Sequence, residues 1–316
     1  MIIRRRTKPL PLQKLDAVIP RLSPQFKRLP EMQLDAANRY KGYIGEQKVD
    51  YHLELLPGNF TILHDVCLAA NNKSFQIDSI VISPHAIFII EVKNYDGTVT
   101  FDTTFKQFTR NNGDKDTGYR YPITQAESSK LKLTNWLHEQ NYHDIPVHYL
   151  IAVSDPSTII KVNGDKQAIA EVVMHGEYIP MKVMEIDEKF ARSGQPRLES
   201  RRIGEAMLWE CQEFDFEIVG RYGITNKDIL TGVHCPECGR LGMERRRKTW
   251  HCTKCGKATK YAHIRAIKDY LLLINSSISN KECRRFLRLP SRSIVTRILQ
   301  KSELVYQKKH KSWEKA

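Results

Sequence analysis

Long apolar runs are missing from this sequence of 316 residues. A helix needs about 18 or more consecutive apolar residues to cross a bilayer, so we expect no membrane span. The basic start, MIIRRRTKPLPLQKL, is not followed by the apolar stretch of a secretory signal. We therefore expect a cytoplasmic protein that is not exported by that route.

The first 230 residues also lack an excess of charge of either sign. They hold 29 Lys and Arg against 30 Asp and Glu, whereas residues 231–316 hold 21 against 6. The net charge of +14 therefore arises near the end of the chain. This asymmetry indicates a polyanion-binding region joined to a near-neutral one, with a basic surface that serves only solubility as the alternative.

Five segments differ in composition. Residues 1–30 are rich in proline and basic residues, as in a poorly ordered arm or one that lies along another surface. Residues 31–160 have the pattern of an α/β domain, and residues 161–230 form an extension of uncertain fold. Residues 231–260 contain paired cysteines, and residues 261–316 are basic with helical patterns.

The α/β segment alternates helical and strand patterns. Apolar residues recur at three- and four-residue spacing over 31–56 and again over 123–140, which predicts two helices. The strand candidates are TILHDVCL, SFQIDSIVIS, AIFIIEVKNY, GTVTF and VHYLIAV, with SPHA and NYDG as turns of hairpin length. The expected fold class is a mixed α/β sheet flanked by helices. In the extension, QAIAEVVM is a candidate strand and IGEAMLWECQEF a predicted helix.

Two of the predicted strands carry charges in otherwise apolar runs: Asp78 in the second, and Glu91 and Lys93 in the third. Side chains alternate along a strand, so Glu91 and Lys93 point to one face. A hairpin around SPHA would bring Asp78 to the same end of the sheet. Neighbouring carboxylates repel each other and are stabilised by a divalent cation, and a lysine beside them can bind phosphate. The set suits metal-assisted phosphodiester hydrolysis, and a solvated Glu–Lys pair is the alternative.

The spacing D-x12-E-x-K resembles the core motif of the PD-(D/E)xK nuclease superfamily, with Ile77 at the position of the proline. GEQKV (45–49), residues 76–99 and YPITQAESSKL (121–131) extend the likeness. Residues 40–155 together resemble the nuclease-related domain, known as NERD. The resemblance implies a restriction-endonuclease-like core and nuclease activity.

The same resemblance implies a catalytic set composed of Glu46, Asp78, Glu91, Lys93 and Gln125. Asp78 and Glu91 would bind Mg²⁺ or Mn²⁺, and Lys93 would be the catalytic lysine. Glu46 would be a helix acid that helps to hold the metal, and Gln125 a helix glutamine of the site. Apart from the resemblance, Glu46 and Gln125 fit equally well as solvated helix residues.

Histidines lack metal-ligand spacing with these acids. His64 and His85 are therefore expected in loops or at strand ends.

The cysteine pairs lie in HCPECGRLGMERRRKTWHCTKCGK (234–257), with the pattern C-x2-C-x13-C-x2-C. Two tight turns can offer four thiolates to a structural Zn²⁺, and a glycine after each pair lets the backbone curl toward the metal. The predicted ligands are Cys235, Cys238, Cys252 and Cys255. The segment resembles a zinc ribbon with a basic, aromatic loop of the kind that contacts nucleic acid, and a redox dithiol pair is the alternative.

The last segment resembles a helix-turn-helix unit. Asn280 and Ser291 are predicted caps of the helices KECRRFL and RSIVTRILQK, and LVYQKKHKSW is a candidate strand or wing. Nucleic-acid contacts are expected from Arg284, Arg285, Arg288, Arg292, Arg297 and Lys301. A small helical bundle with a solvated basic face is the alternative.

These features together predict a metal-dependent nuclease that acts on DNA, with RNA as the other candidate partner. The zinc ribbon and the basic end would bind the nucleic acid. Two other functions remain open: a non-catalytic DNA- or RNA-binding regulator with a silent nuclease fold, and a protein-interaction module. The composition and the set of segments also resemble those of bacillus-type bacterial proteins.

Overall fold

The structure, a computed structural model, describes residues 1–71, 73–215 and 217–315. Its α-helices are α1 (Leu10–Val18), α2 (Leu29–Leu53), α3 (Pro122–Glu139), α4 (Lys166–Val172), α5 (Ile179–Arg192), α6 (Ser200–Glu210), α7 (Ile218–Arg221), α8 (His263–Leu273), α9 (Asn280–Leu287) and α10 (Arg292–Gln300). Its first ten β-strands are β1 (Ile2–Arg4), β2 (Thr61–Ala70), β3 (Lys73–Ile82), β4 (Ile87–Lys93), β5 (Thr98–Asp102), β6 (Gln107–Asn111), β7 (Asp116–Tyr119), β8 (Val147–Val153), β9 (Ile159–Asn163) and β10 (Val173–His175). The later strands are β11 (Glu244–Arg246), β12 (Thr249–His251), β13 (Ala258–Thr259), β14 (Ser277–Ser279), β15 (Leu304–Gln307) and β16 (Ser312–Lys315).

The chain divides into two compact units. The first joins Met1–Pro9 to Arg39–Phe214, and the second joins Leu10–Asn38 to the described residues from Asp215 onward. This division differs from the five predicted segments, because residues 1–30 contain β1 and α1 and supply both units. Within the part of the chain that the structure describes, no helix combines the length and the apolar character needed to cross a membrane.

A six-stranded sheet forms the centre of the first unit, with the strand order β1-β2-β3-β4-β8-β10. Strands β2, β3 and β4 are antiparallel, whereas β4, β8 and β10 run parallel to one another. SPHA closes the β3–β4 hairpin, where the Ser83 amide donates to the carbonyl of Ala86 over 2.9 Å. The predicted mixed α/β class and this hairpin are confirmed.

Both faces of the sheet are covered, which explains why β4 reads as a nearly continuous apolar run. On one face, Ile89 belongs to a buried cluster that includes Trp136 of α3 and residues of α6. On the other face, Ile90 belongs to a cluster that includes Val49 of α2 and Val183 of α5. The alternation of Ile89 and Ile90 assigns Glu91 and Lys93 to the α3 face of the sheet.

NYDG connects β4 to β5 as predicted, but the hairpin expected there is wrong, because β5 does not pair with β4. Strand β5 belongs to a second sheet with the order β7-β6-β5-β9, and the polar insertion contributes to the β6–β7 hairpin of that sheet. The physical reason is that β3 and β8 already occupy the two edges of β4. Strand β5 instead pairs with β6 and β9.

The candidate strand QAIAEVVM is also wrong for most of its length. Its first residues lie in α4, which Asp165 caps by accepting a hydrogen bond from the Ala168 amide over 3.0 Å. The chain becomes extended only in β10, where it pairs with β8. A side-chain cap thus favours the helix over the β-branched composition of the segment.

A hydrophobic core packs the helices and strands of the second unit together. It includes Leu15 of α1, Trp250 of β12, Tyr270 of α8 and Phe286 of α9. Strands β11, β12 and β13 form one antiparallel sheet, and β14, β16 and β15 form another. The fully buried Arg21 pairs with Asp269 over 2.8 Å inside this core.

The helix pair of the second unit begins at two serine caps. Ser279 caps α9 by accepting from the Glu282 amide, and Ser291 caps α10 by accepting from the Ile294 amide. The cap predicted at Asn280 is therefore wrong by one residue, because Ser279 and Glu282 form a reciprocal capping box. The side chain of Asn280 instead donates to Thr296 of α10 over 3.0 Å.

Candidate active site and cysteine cluster

Asp78 lies where the pairing of β3 with β4 ends. The two strands pair from Ile82 and Ile87 to Ser79 and Ile90. Beyond that point, Oδ2 of Asp78 accepts the backbone N–H of Val92 over 2.8 Å. The carboxylate takes the position of a missing backbone partner, which fixes this half-buried acid at the point where the strands separate.

Glu91, Lys93 and Gln125 form a closed set of contacts beside Asp78. Nζ of Lys93 donates to Oε1 of Glu91 over 2.7 Å and to Oε1 of Gln125 over 3.2 Å. Nε2 of Gln125 donates to Oε1 of Glu91 over 2.6 Å. Gln125 lies in the first turn of α3, which begins at Pro122, and proline is well suited to the first position of a helix.

The acids of this set are hard to ionise. Burial, followed by the negative charge of Asp78, raises the pKa of Glu91 to about 7, although Lys93 opposes the rise. Burial also raises the pKa of Asp78, against the charge of Lys93 and the Val92 hydrogen bond. Burial lowers the pKa of Lys93, but the charges of Glu91 and Asp78 outweigh it, so the net shift is upward and Lys93 remains a cation.

Glu46 of α2 is bound to an arginine that the sequence did not single out. Its Oε2 accepts Nη1 of Arg6 over 2.6 Å, and Arg6 also donates to the backbone carbonyl of Asp78 over 2.7 Å. Burial and then the charge of Asp78 raise the pKa of Glu46, and Arg6 opposes that shift. Four of the five predicted residues therefore lie together: Glu91, Lys93 and Gln125 are hydrogen-bonded, and the charge of Asp78 acts on Lys93. The fifth, Glu46, is linked to Asp78 through Arg6.

Four further residues of this region were missed: Arg6, Asp50, His64 and Ser79. Asp50 lies four residues after Glu46, and this helical spacing was the available signal for it. His64 was expected in a loop or at a strand end, but it is buried inside β2 with Nδ1 3.0 Å from Asp50 Oδ1. Arg6 lies in a run of three arginines that carries no sign of which one turns inward.

The carboxylates fit a magnesium or manganese ion by their chemistry. Mg²⁺ prefers hard oxygen ligands and is commonly held by one or two carboxylates with water completing its shell. Asp78 and Glu91 supply such a pair, and burial disfavours the charged form of each, which raises both pKa values. Among the residues that the structure describes, these acids do not form a cluster of three ligands within 4.8 Å, whereas the cysteines do.

The two cysteine pairs adopt matching turns. The Gly239 amide donates to the Cys235 carbonyl over 3.0 Å, and the Gly256 amide donates to the Cys252 carbonyl over 3.1 Å. Both glycines have positive φ angles, of 69° and 74°. A side chain would strain this left-handed backbone, which explains the glycine after each pair.

All four thiols converge. The ligand atoms of Cys235, Cys238, Cys252 and Cys255 lie within 4.8 Å of one another. Sulfur atoms of opposite pairs are 3.6 Å apart, for Cys235 with Cys255 and for Cys238 with Cys252. Zn–S bonds of about 2.3 Å in a tetrahedron require sulfur atoms about 3.8 Å apart, so the cluster fits zinc. Backbone N–H groups lower the pKa of Cys252 to about 6.

The predicted nucleic-acid residues are not equally free. The side chains of Arg285, Arg292 and Lys301 are exposed, as are those of Arg288 and Arg297. Arg284 is half-buried, and its Nη1 lies 3.4 Å from the carbonyl of Pro290. The exposed residues therefore offer the cationic surface of this helix pair.

Comparison with known proteins finds a domain family that matches part of the first unit. Residues 41–154 match the family model of the nuclease-related domain. A segment of 127 residues, 40% of this chain, is 28% identical to an uncharacterized protein of Bacillus anthracis. That segment covers 58% of the length of the relative. No solved structure matches the chain.

Proposed function

We propose that the nuclease-related domain at residues 41–154 hydrolyses phosphodiester bonds in DNA with the aid of Mg²⁺ or Mn²⁺. The observation that carries the proposal is the contact set of the buried Glu91 with the half-buried Lys93 and Gln125, next to Asp78 at the end of the β3–β4 pairing. Two carboxylates with raised pKa values beside a lysine are costly to bury. A catalytic site would explain their presence, because the carboxylates can bind a divalent cation and the lysine can bind a phosphate.

Asp78 and Glu91 are the proposed metal ligands. A bound divalent cation would supply Lewis acidity and positive charge next to the phosphate. Asp78 is held in place by the Val92 amide, and Glu91 by Gln125, so neither carboxylate has to be ordered when the cation arrives.

Lys93 is the proposed electrostatic catalyst. It remains protonated, and its ammonium group can stabilise the negative charge that develops on the phosphate oxygens. Gln125 is the proposed positioning residue, because its side chain contacts both Lys93 and Glu91. Glu46 borders the set through its hydrogen bond with Arg6.

The second unit is the proposed nucleic-acid-binding part, in which the cysteine cluster holds a structural Zn²⁺. The pair α9–α10, followed by the β15–β16 hairpin, has the order of a helix-turn-helix with a wing. Arg292, Arg297 and Lys301 would contact phosphates from its exposed surface. Such contacts would keep DNA at a high local concentration near the linked nuclease-related domain.

A regulator that binds nucleic acid without cutting it is the second candidate. It is favoured by the partners that the site charges already have within the protein: Lys93 with Glu91, and Glu46 with Arg6. Such pairs can persist in a fold that has lost catalysis. RNA is the other polyanion that the basic surface could bind. If the chain is instead a protein-interaction module, salt should hardly weaken its binding to nucleic acid, whereas phosphate contacts predict a steep loss.

Cleavage and binding assays on the full chain separate these functions. Linear, nicked and single-stranded DNA and a matched RNA are incubated with Mg²⁺, Mn²⁺ or EDTA. The variants are Asp78→Asn and Lys93→Met, with Lys161→Met on the exposed face of β9 as the control. The proposal expects cleavage by the wild type and by the control, and a loss of about 100-fold or more in each site variant.

Each alternative has its own outcome in these assays. Cleavage that survives in both site variants would reject the proposed residues. Binding without cleavage of any substrate would favour the regulator. Preference for RNA over DNA at equal salt would change the substrate class and leave the site intact.

A further inference from the structure

Arg6 is a buried cation within the group of acids that surrounds the proposed metal site. Its side chain is only 3% exposed. Nε and Nη2 donate to the two oxygens of Asp50 over 2.7 and 3.0 Å, and Nη1 donates to Glu46 over 2.6 Å. The guanidinium group thus neutralises two acids of α2 from a segment that is far away in sequence.

The same guanidinium also binds the strand that carries Asp78. Nη2 donates to the Asp78 carbonyl over 2.7 Å and to Oγ of Ser79 over 3.0 Å. Strand β1 anchors the segment, because Arg4 donates to the carbonyls of His64 and Asp65. Arg6 is therefore a fixed part of the first unit, bridging α2 and β3.

A second divalent cation at Glu46 would have to share this space with the guanidinium. Like charges repel strongly where little water screens them. Oε2 of Glu46 already accepts a hydrogen bond from Arg6, and so do both oxygens of Asp50. Metal binding at Glu46 would require Arg6 to leave a buried position in which it makes several charged hydrogen bonds.

We propose that Arg6 takes the place of a metal ion at Glu46, so that the site holds a single divalent cation on Asp78 and Glu91. Glu46 then orients Arg6 instead of binding metal. The inference rests on the proposed function, and it departs from the role that the resemblance implied for Glu46. Arg6 is a positioning residue that keeps positive charge beside the carbonyl of Asp78.

Manganese binding to the zinc-loaded full chain tests this inference without an activity assay. Free Mn²⁺ is measured by electron paramagnetic resonance during titration of the wild type, Glu46→Gln, Asp78→Asn and Glu91→Gln. We expect one Mn²⁺ per wild-type chain, and a change of no more than about twofold in the dissociation constant of Glu46→Gln. Asp78→Asn and Glu91→Gln should each weaken binding by about tenfold or more.

Arg6→Gln is the complementary variant, and Arg5→Gln is its matched control. Arg5 precedes Arg6, is 77% exposed and pairs with Glu54 of the same helix. Loss of the Arg6 charge should open Glu46 and Asp50 to a second Mn²⁺, whereas Arg5→Gln should bind one as the wild type does. Circular dichroism shows whether Arg6→Gln is folded, and if it is not, the Glu46→Gln comparison decides the matter alone.

Three results would overturn the inference. They are two Mn²⁺ ions on the wild type, a tenfold loss of affinity in Glu46→Gln, and a folded Arg6→Gln that binds a single ion. These results leave the proposed nuclease site standing. If the wild type binds no Mn²⁺ at all, or if Asp78→Asn and Glu91→Gln bind it unchanged, the metal site of the proposed function fails together with the inference.

Discussion

Metal binding at the proposed site should depend on pH because of Glu91. Its side chain is 5% exposed, and burial together with Asp78 raises its pKa to about 7. A metal ion binds the carboxylate and must displace the proton below that pH. The affinity for Mn²⁺ should therefore increase as the pH rises through 7 and level off above about pH 8.

The size of the effect follows from the protonated fraction. With a pKa of about 7, Glu91 is about 90% protonated at pH 6 and about 10% at pH 8. The apparent affinity for Mn²⁺ should then rise about tenfold between these pH values, which equals about 1.4 kcal/mol.

The same raised pKa of Glu91 also affects the stability of the metal-free protein. A carboxyl with a raised pKa takes up a proton on folding, so its contribution to stability falls as pH rises from about 4.5 to about 7.

Isothermal titration calorimetry in buffers of different ionisation enthalpy measures both the affinity and the protons released. We expect about one proton or slightly more per Mn²⁺ at pH 6 and almost none at pH 8.5. Glu127→Gln, an exposed acid on the same helix as Gln125, should keep the wild-type profile. A wild-type affinity that does not change with pH, with no proton release at pH 6, would refute the burial argument for Glu91.

Three further predictions concern the second unit. Cys252→Ser should abolish stoichiometric zinc binding, measured by atomic absorption, because one of four converging thiolates is lost; retained zinc would contradict the ligand set. Replacing Arg292 and Arg297 by alanine together should reduce the slope of log affinity for duplex DNA against log salt by about 2, and an unchanged slope would exclude their phosphate contacts. Arg21→Met should destabilise the unit by about 3 to 5 kcal/mol in urea unfolding, because Asp269 would remain buried without its partner; a loss below about 1 kcal/mol would show that the pair contributes little.

The strands and turns that the sequence predicted correctly are those decided by local chemistry. VHYLIAV forms β8 over the predicted residues, and SPHA closes the β3–β4 hairpin. NYDG failed for a reason that is not local. A turn sequence allows a hairpin, but it cannot show that β4 pairs with β3 and β8 while β5 pairs with β6 and β9.

The cysteine cluster was also predictable, because the spacing within each pair dictates its geometry. The two glycines after the pairs have the left-handed backbone that the prediction required. By contrast, Asn280 was a reasonable cap by composition, and Ser279 took the role because Glu282 stands three residues later. A helix boundary of this kind depends on competition between neighbouring side chains.

The sequence by itself determined the α/β class, the four thiols and the identity of the acids and lysine in β3 and β4. These follow from periodicity and spacing, which act over a few residues. Only the tertiary structure decided that Gln125 bonds both Glu91 and Lys93, and that Asp78 binds the Val92 amide. It also decided that Arg6, and not Arg5, is buried against Glu46. Contacts between residues that are distant in sequence depend on how strands and helices pack, and no local pattern records that choice.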